Sequence, residues 1–311
     1  VRRLLRDSAS DFAAACDLTA RALGVDTSAV VKDYWVTEVL RILFSARVDP
    51  GGLVFKGGTS LSKAHRVIER FSEDVDIVVP PDTSHNGTKR RLRLLASTVS
   101  STLGIPHRRE AEGRGFLNAR FAVAGMPPAR ALSPGVLLEI GTRSGRRPNA
   151  RMSVTSLVAD AISKPRTSAA DIWADMAPVE VTVLSPERTV AEKLAHLHHR
   201  ATISDVAGLR QGARHLYDIG LALRAPAVRD GLRRTSMAEL MIDIDARSIG
   251  AGWRFTPRPV EGFAVSRALS DDPDVSDAYR RGFADLADLV WGDLPSPELL
   301  RAEIRAHHDL I

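Results

Sequence analysis

The stretch Leu53 to Val79, LVFKGGTSLSKAHRVIERFSEDVDIVV, decides the fold because it sets a glycine turn at a helix start and follows it with two aspartates on one strand. Leu53, Val54 and Phe55 form a short apolar run ended by Lys56-Gly57-Gly58, which predicts a buried strand entering a turn that glycines make at little cost. A helix is expected next, with Thr59 or Ser60 as its N-cap and Leu61, Ala64 and Ile68 as its inward face. A glycine turn at a helix start brings free backbone N–H groups close to a ligand, and such groups cradle phosphate oxygens.

The second half of the stretch brings negative charge into an apolar strand. In Asp74-Val75-Asp76-Ile77-Val78-Val79, alternation puts Asp74 and Asp76 on one face, roughly 6.6 Å apart along the backbone. Like charges at that spacing repel, and a hard divalent cation relieves the repulsion. Magnesium takes one or two carboxylates and completes its shell with water and substrate phosphates. Spacing alone leaves a second reading, in which Glu73, Asp74 and Asp76 form a solvated acidic turn paired with Arg66 or Arg70. A P-loop is excluded, because Gly57-Gly58-Thr59-Ser60-Leu61-Ser62-Lys63 lacks the four residues that its consensus places between Gly and Gly-Lys-Ser/Thr.

The rest of the chain is organised around this unit. Residues 1–48 read as a helical segment packing on the core, with Phe12, Ala15, Leu18 and Ala22 on one face and Val36, Val39, Leu40 and Leu43 on another, until Asp49-Pro50-Gly51-Gly52 breaks the pattern. Residues 49–178 alternate strand and helix: a basic helix around Lys89 to Leu103, strands around Phe116 to Ala124 and Val136 to Thr142, and a polar connector from Arg143 to Pro148. Residues 179–311 read as a helical domain that completes a cleft, with helices at Thr189 to Arg200, Gly212 to Leu223, Met237 to Ile244 and Asp274 to His308, the last interrupted at Pro295 and Pro297. The fold class is therefore α/β (α+β), a mixed-sheet core followed by a mainly helical C-terminal region.

Two later segments carry candidate chemistry. Glu139 interrupts the apolar run Val136-Leu137-Leu138-Glu139-Ile140, where a carboxylate is costly unless it is paired, metal-bound or facing water on an edge strand. On the helix from Thr189, Lys193, His196 and Arg200 share one face while Val190, Leu194 and Leu197 make the buried one. Asp218 follows Arg214 by four residues, the spacing of a helix-surface ion pair. His198-His199 and His307-His308 point to different helix faces without companion ligands, so zinc is not indicated, and the scattered Trp35, Trp173, Trp253 and Trp291 suit core packing better than base stacking.

Composition bounds the function. The 311 residues are 44% hydrophobic and 26% charged, which argues against disorder, and the net charge of +5 favours polyanionic partners only weakly. Cys16 is the sole cysteine, so no intramolecular disulfide forms. No apolar run approaches the roughly 18 residues of a membrane span, and the first residues lack the apolar core of a signal peptide, so a cytoplasmic location without membrane contact is expected.

The pattern FKGGTSLSK followed by RFSEDVDI resembles the AbiEii/AbiGii toxin family, which includes the MenT toxins and lies within the DNA polymerase beta-like nucleotidyltransferase superfamily. Lys32-Asp33-Tyr34-Trp35-Val36-Thr37 resembles the family's N-terminal helix signature, Pro186-Glu187-Arg188-Thr189 with Glu192-Lys193-Leu194 its third motif, and Arg214-His215-Leu216-Tyr217-Asp218 its fourth. The resemblance implies catalytic residues at Asp74, Asp76, Lys193 and Asp218, with Glu139 as a third carboxylate. Asp74, Asp76 and Glu139 would hold one or two magnesium ions, and Lys56, Gly57, Gly58, Thr59 and Ser60 would bind the nucleoside triphosphate. It further implies a toxin that adds nucleotides to the 3′ end of tRNA, releases pyrophosphate and blocks aminoacylation, and that is countered by a cognate antitoxin. In some relatives that antitoxin phosphorylates a hydroxyl near the metal site, for which Ser72 is the match, although a Ser there also suits a turn cap. Transfer to a protein or small molecule, and a non-catalytic nucleotide-binding module, are the alternative readings.

Overall fold

Seven strands form one mixed sheet in the computed structural model, which describes residues 3–49, 52–123, 125–126, 132–163 and 168–311. The chain divides into two compact units: Val1–Ala64, Phe71–Thr142 and Asn149–Val183 in one, and His65–Arg70, Arg143–Pro148 and Leu184–Ile311 in the other.

The first unit opens with α1 (Ala9–Leu23) and α2 (Thr27–Leu43), then β1 (Val54–Lys56), α3 (Gly57–Lys63), β2 (Asp74–Val78) and α4 (His85–Leu103). Next come β3 (His107–Gly113), β4 (Phe116–Phe121), β5 (Val136–Gly141), β6 (Asn149–Val154), α5 (Leu157–Ile162), α6 (Ala169–Ile172) and β7 (Val179–Leu184). Strand order is β3-β4-β5-β2-β1-β7-β6, with β1 antiparallel to β2 and parallel to β7, and β2 parallel to β5. Period-two alternation gives the sheet one closed face. Phe55, Val75, Ile77, Leu117, Phe121, Leu138 and Ile140 are all buried there in a core shared with Val39 and Leu40 of α2 and Val99 of α4.

Some expectations shift. Along α1 the buried stripe is Phe12, Cys16, Thr19 and Ala20, while Leu18 is 53% exposed and Ala22 faces solvent. The small Cys16 and Thr19, whose hydroxyl donates back to the Ala15 carbonyl, let this face approach its neighbours, so bulk did not set the register. In the break at Asp49-Pro50-Gly51-Gly52, Pro50 and Gly51 lie outside the described residues; the Asp49 carboxylate accepts from the Gly52 and Leu53 N–H groups and leads the chain into β1. Helices α1 and α2 lie in the sheet-bearing unit, and Val179–Leu184 at the start of the expected 179–311 segment is strand β7. Val179, Val181 and Val183 alternate inward, a β-branched period of two that the sheet takes up beside β1.

The second unit is helical: α7 (Pro186–Thr202), α8 (Val206–Gln211), α9 (Ala213–Arg224), α10 (Pro226–Arg234), α11 (Met237–Ala251), α12 (Pro273–Leu286) and α13 (Pro297–Ala306). Proline stands in the first turn of α7, α10, α12 and α13, where its missing N–H has no helical partner to lose. Its core includes Val190, Leu194 and Leu197 of α7, Leu216 and Ile219 of α9, Tyr279 of α12 and Leu300 and Ile304 of α13. The Arg143–Pro148 connector is held in this unit by Arg188, whose Nη1 donates to the Arg147 carbonyl at 2.8 Å. Among the described residues no helix is long and apolar enough to cross a membrane.

Candidate active site

Strand register assembles the acidic site. Lys56 pairs with Asp76, Asp76 with Glu139, and Glu139 with Asn118, giving one row across β1, β2, β5 and β4. Two residues along the same face, Asp74 pairs with Leu137, Leu137 with Arg120, and Arg120 with Arg108. The carboxylates thus stand on the face opposite the apolar core. Asn118 Nδ2 donates to Glu139 Oε1 at 2.6 Å, which fixes one oxygen of that carboxylate.

Gly57 makes the junction of β1 and α3 possible. Its φ of 76° lies in the left-handed region, and a β-carbon there would meet Asp76 Oδ2 at 2.0 Å. Helix α3 therefore starts directly after the strand, with Lys56 and not Thr59 or Ser60 at the N-cap position. The two hydroxyls lie buried in the first turn, where Thr59 donates to the Asp74 carbonyl and Ser60 to the Gly57 carbonyl. The helix ends at Lys63, so Ala64 is its C-cap and Ile68 lies beyond it, though both are buried as expected of inward residues.

The N-terminal signature closes on the same region. Lys32 Nζ donates to Glu73 Oε2 at 2.5 Å and to the Ser133 carbonyl at 2.7 Å, and the Ser133 N–H donates to the same Glu73 oxygen. Burial pulls the Lys32 ammonium below its ordinary range, against the attraction of Glu73 and Asp74. Asp33 takes Lys63 Nζ at 2.5 Å on one oxygen and the Leu157 N–H at 2.7 Å on the other. Glu73 is therefore paired with Lys32, where the solvated-turn reading set it against Arg66 or Arg70. Lys32 and Lys63 fall in sequence motifs that give no contact for them, and sequence reasoning passes over Asn118, whose signal is its polarity in the alternating strand FLNARF. Among the described residues no three His, Cys, Asp or Glu side chains are drawn together as a metal cluster. Asp74 and Asp76, with Glu139 beside Asp76 in register, present only oxygen donors, the kind a hard cation takes together with water and phosphate.

Lys193 and Asp218 form a second cluster in the helical unit. Asp218, fully buried on α9, receives a two-bonded fork from Arg70 at 2.6 and 2.7 Å and Lys193 Nζ at 3.0 Å. Its partner is Arg70 and not the exposed Arg214 that helical spacing suggested. Burial opposes ionisation of Asp218, yet the charges of Arg70 and Lys193 outweigh it and hold the carboxyl below its usual range. Burial also lowers the Lys193 ammonium, with Asp218 opposing the shift. Lys193 Nζ lies 3.0 Å from His215 Nδ1, and burial first, then the Lys193 charge, pushes that imidazole well below its ordinary range. The basic face expected on α7 is accordingly divided: Lys193 is buried, His196 packs edge-on to His215 at 5.1 Å, and Arg200 pairs with Asp205 at 2.7 Å. Ser72 is half-buried on the approach to β2.

A family profile described as nucleotidyl transferase AbiEii toxin, type IV TA system, matches residues 38–301. Among solved structures, MenT4, a nucleotidyltransferase toxin from Mycobacterium tuberculosis H37Rv, is 22% identical with a TM-score of 0.52, covering 93% of each chain. Two Helicobacter pylori chains are similar at lower scores. A candidate nucleotidyltransferase is 13% identical with a TM-score of 0.46, covering 92% of this chain and 95% of its own. JHP933 is 14% identical with a TM-score of 0.40 and the same coverage of 92% and 95%. No curated protein matches the chain.

Proposed function

The chain belongs to the AbiEii family of nucleotidyltransferase toxins of type IV toxin–antitoxin systems, and on that premise we propose that it transfers a nucleotide from a nucleoside triphosphate to the 3′ end of tRNA. The observation that carries this reading is the row Lys56, Asp76, Glu139 and Asn118, with Gly57 packed under Asp76. It sets a glycine turn beside two adjacent carboxylates, with Asp74 two residues along the same strand face, an arrangement suited to phosphoryl chemistry.

Asp74 and Asp76, assisted by Glu139, would hold one or two divalent cations. Magnesium bound there would spread the charge of the triphosphate and lower the pKa of the attacking hydroxyl. Gly57 and Gly58, which carry no side chains of their own, would let phosphate oxygens approach the backbone, and Lys56 adds a positive charge beside Asp76. Glu139, oriented by Asn118, takes the proton of the RNA 3′ hydroxyl as its oxygen bonds to the α-phosphorus. The bond from the α-phosphorus to the bridging oxygen breaks, pyrophosphate leaves, and the RNA is one nucleotide longer. A tRNA so extended cannot be aminoacylated, and translation stops. Lys193 and Asp218 are proposed as residues that transfer requires. Ser72 is proposed as the residue through which an antitoxin could act, since a phosphate would add roughly −1.5 to −2 of charge two residues from Asp74.

The test is incubation of the chain with total tRNA, magnesium and each labelled triphosphate, followed by sequencing of the RNA 3′ ends. Transfer lost in Asp74→Asn and Asp76→Asn supports the reading. Label on protein or small molecules with none on RNA would replace the acceptor, and growth arrest undiminished in Asp76→Asn would point to a non-catalytic toxin.

A further inference from the structure

Beyond Asp74, at the same end of the sheet, β3 and β4 open a cavity of about 760 Å³ that the chemistry above does not use. Its apolar lining includes Pro106 and the half-buried Val123 and Met126, and Arg108 and Arg120 bring positive charge to it. Cavities of a few hundred cubic ångströms and more, largely apolar with a few convergent polar groups, are the usual form of a small-ligand site. Glu110 receives Arg120 through two hydrogen bonds at 2.5 and 3.1 Å and Arg108 at 3.2 Å, so one carboxylate orients two guanidinium groups and leaves positive charge over. Arg108 remains 79% exposed, with its fork open to an incoming anion. An apolar wall beside an arginine pair fits a heteroaromatic base with its phosphate, that is, a nucleotide.

Register places this cavity relative to the carboxylates. Arg120 and Asp74 both pair with Leu137, so they stand two strand spacings apart, roughly 10 Å. The glycine turn follows β1 on one side of Asp76, whereas β5, β4 and the cavity lie on the other. In phosphoryl transfer the attacking and leaving oxygens sit roughly in line on opposite sides of phosphorus. With pyrophosphate leaving toward the glycine turn, the hydroxyl arrives from the β5 and β4 side. We infer that the cavity seats the terminal nucleotides of the acceptor RNA, base against Val123 and Met126 and phosphate at Arg108 and Arg120. The inference rests on the RNA-acceptor reading and specifies the residues that select the acceptor.

The experiment uses the full chain and a short RNA with a free 3′ hydroxyl and a photoreactive thiouridine at its end. Irradiation should cross-link the RNA to the peptide containing His107 or to that containing Val123. Charge removal in Arg108→Gln with Arg120→Gln, and filling in Val123→Trp, should raise KM for RNA about tenfold or more, the loss expected for a charge-assisted hydrogen bond. KM for the triphosphate should stay within about twofold while a thermal melt confirms folding. A rise in triphosphate KM with RNA KM unchanged, or cross-links elsewhere alongside normal transfer, would overturn the acceptor site. Cross-linking at this cavity in a chain that transfers nothing to RNA would uphold the site and refute the transfer reading, so the two fail separately.

Discussion

Gly57 and Asp76 compete for one volume: a β-carbon on Gly57 would stand 2.0 Å from Asp76 Oδ2 and 2.8 Å from its carboxyl carbon. The backbone there is also left-handed, at φ 76°. Gly57→Ala therefore adds about 1–2 kcal/mol of backbone strain and drives the carboxylate off its position. The expected outcome is a chain that still folds, with a thermal midpoint a few degrees lower, and that loses transfer nearly as fully as Asp76→Asn. Gly58→Ala, without a left-handed φ, is the comparison. Equal activity in native chain and Gly57→Ala would remove the glycine turn from the mechanism.

The Asn118 amide and the Glu139 carboxylate make a second testable pair. Asn118→Ala leaves Glu139 one hydrogen bond short and its position less defined, at a cost of about tenfold in kcat with little change in triphosphate KM. Asn118→Asp places a like charge on Glu139 and should cost more. Steady-state kinetics with saturating RNA distinguishes the two. A rise in triphosphate KM with kcat unchanged would assign Asn118 to binding instead of orientation.

These pairs show where the fold could be read and where it could not. The alternation in DVDIV and VLLEI, and the glycines after VFK, are local signals, and β2, β5 and the carboxylate face follow from them. Strand β3, HRREAEG, escaped because an edge strand needs no apolar alternation when charged side chains cover it. The row Lys56, Asp76, Glu139 and Asn118 depends on which strands lie adjacent, and no window of sequence carries that. Asp218 shows the same limit: its helical neighbour Arg214 was the obvious partner, yet Arg70 reaches it from 148 positions away.

That long-range pair is stabilising only as a set. Asp218 is the shared counter-ion of Arg70 and Lys193, and all three are at least nine-tenths buried. Asp218→Ala leaves two buried cations without their anion and should cost about 3–5 kcal/mol. Urea denaturation measures this as a lowered midpoint at unchanged slope. Arg70→Met keeps Lys193 against Asp218 and should cost less. If both variants unfold at the native midpoint, the cluster is screened by water and its burial contributes nothing.

His215 makes the same cluster sensitive to acid. Its folded pKa lies well below the ordinary 6.5, so the unfolded chain binds the proton more readily. Stability is full above about 6.5 and falls as pH drops below that value, at up to about 1.4 kcal/mol per pH unit from this group. His65 and His198 are shifted the same way by burial and add to the decline. His215→Gln keeps an acceptor for Lys193 but has no proton to gain, so it should lose one share of the slope. Denaturation midpoints of native chain and variant at pH 7.5 and 5.5 provide the check. An equally steep decline in the variant would show that His215 binds its proton equally in both states and that other groups set the acid limit.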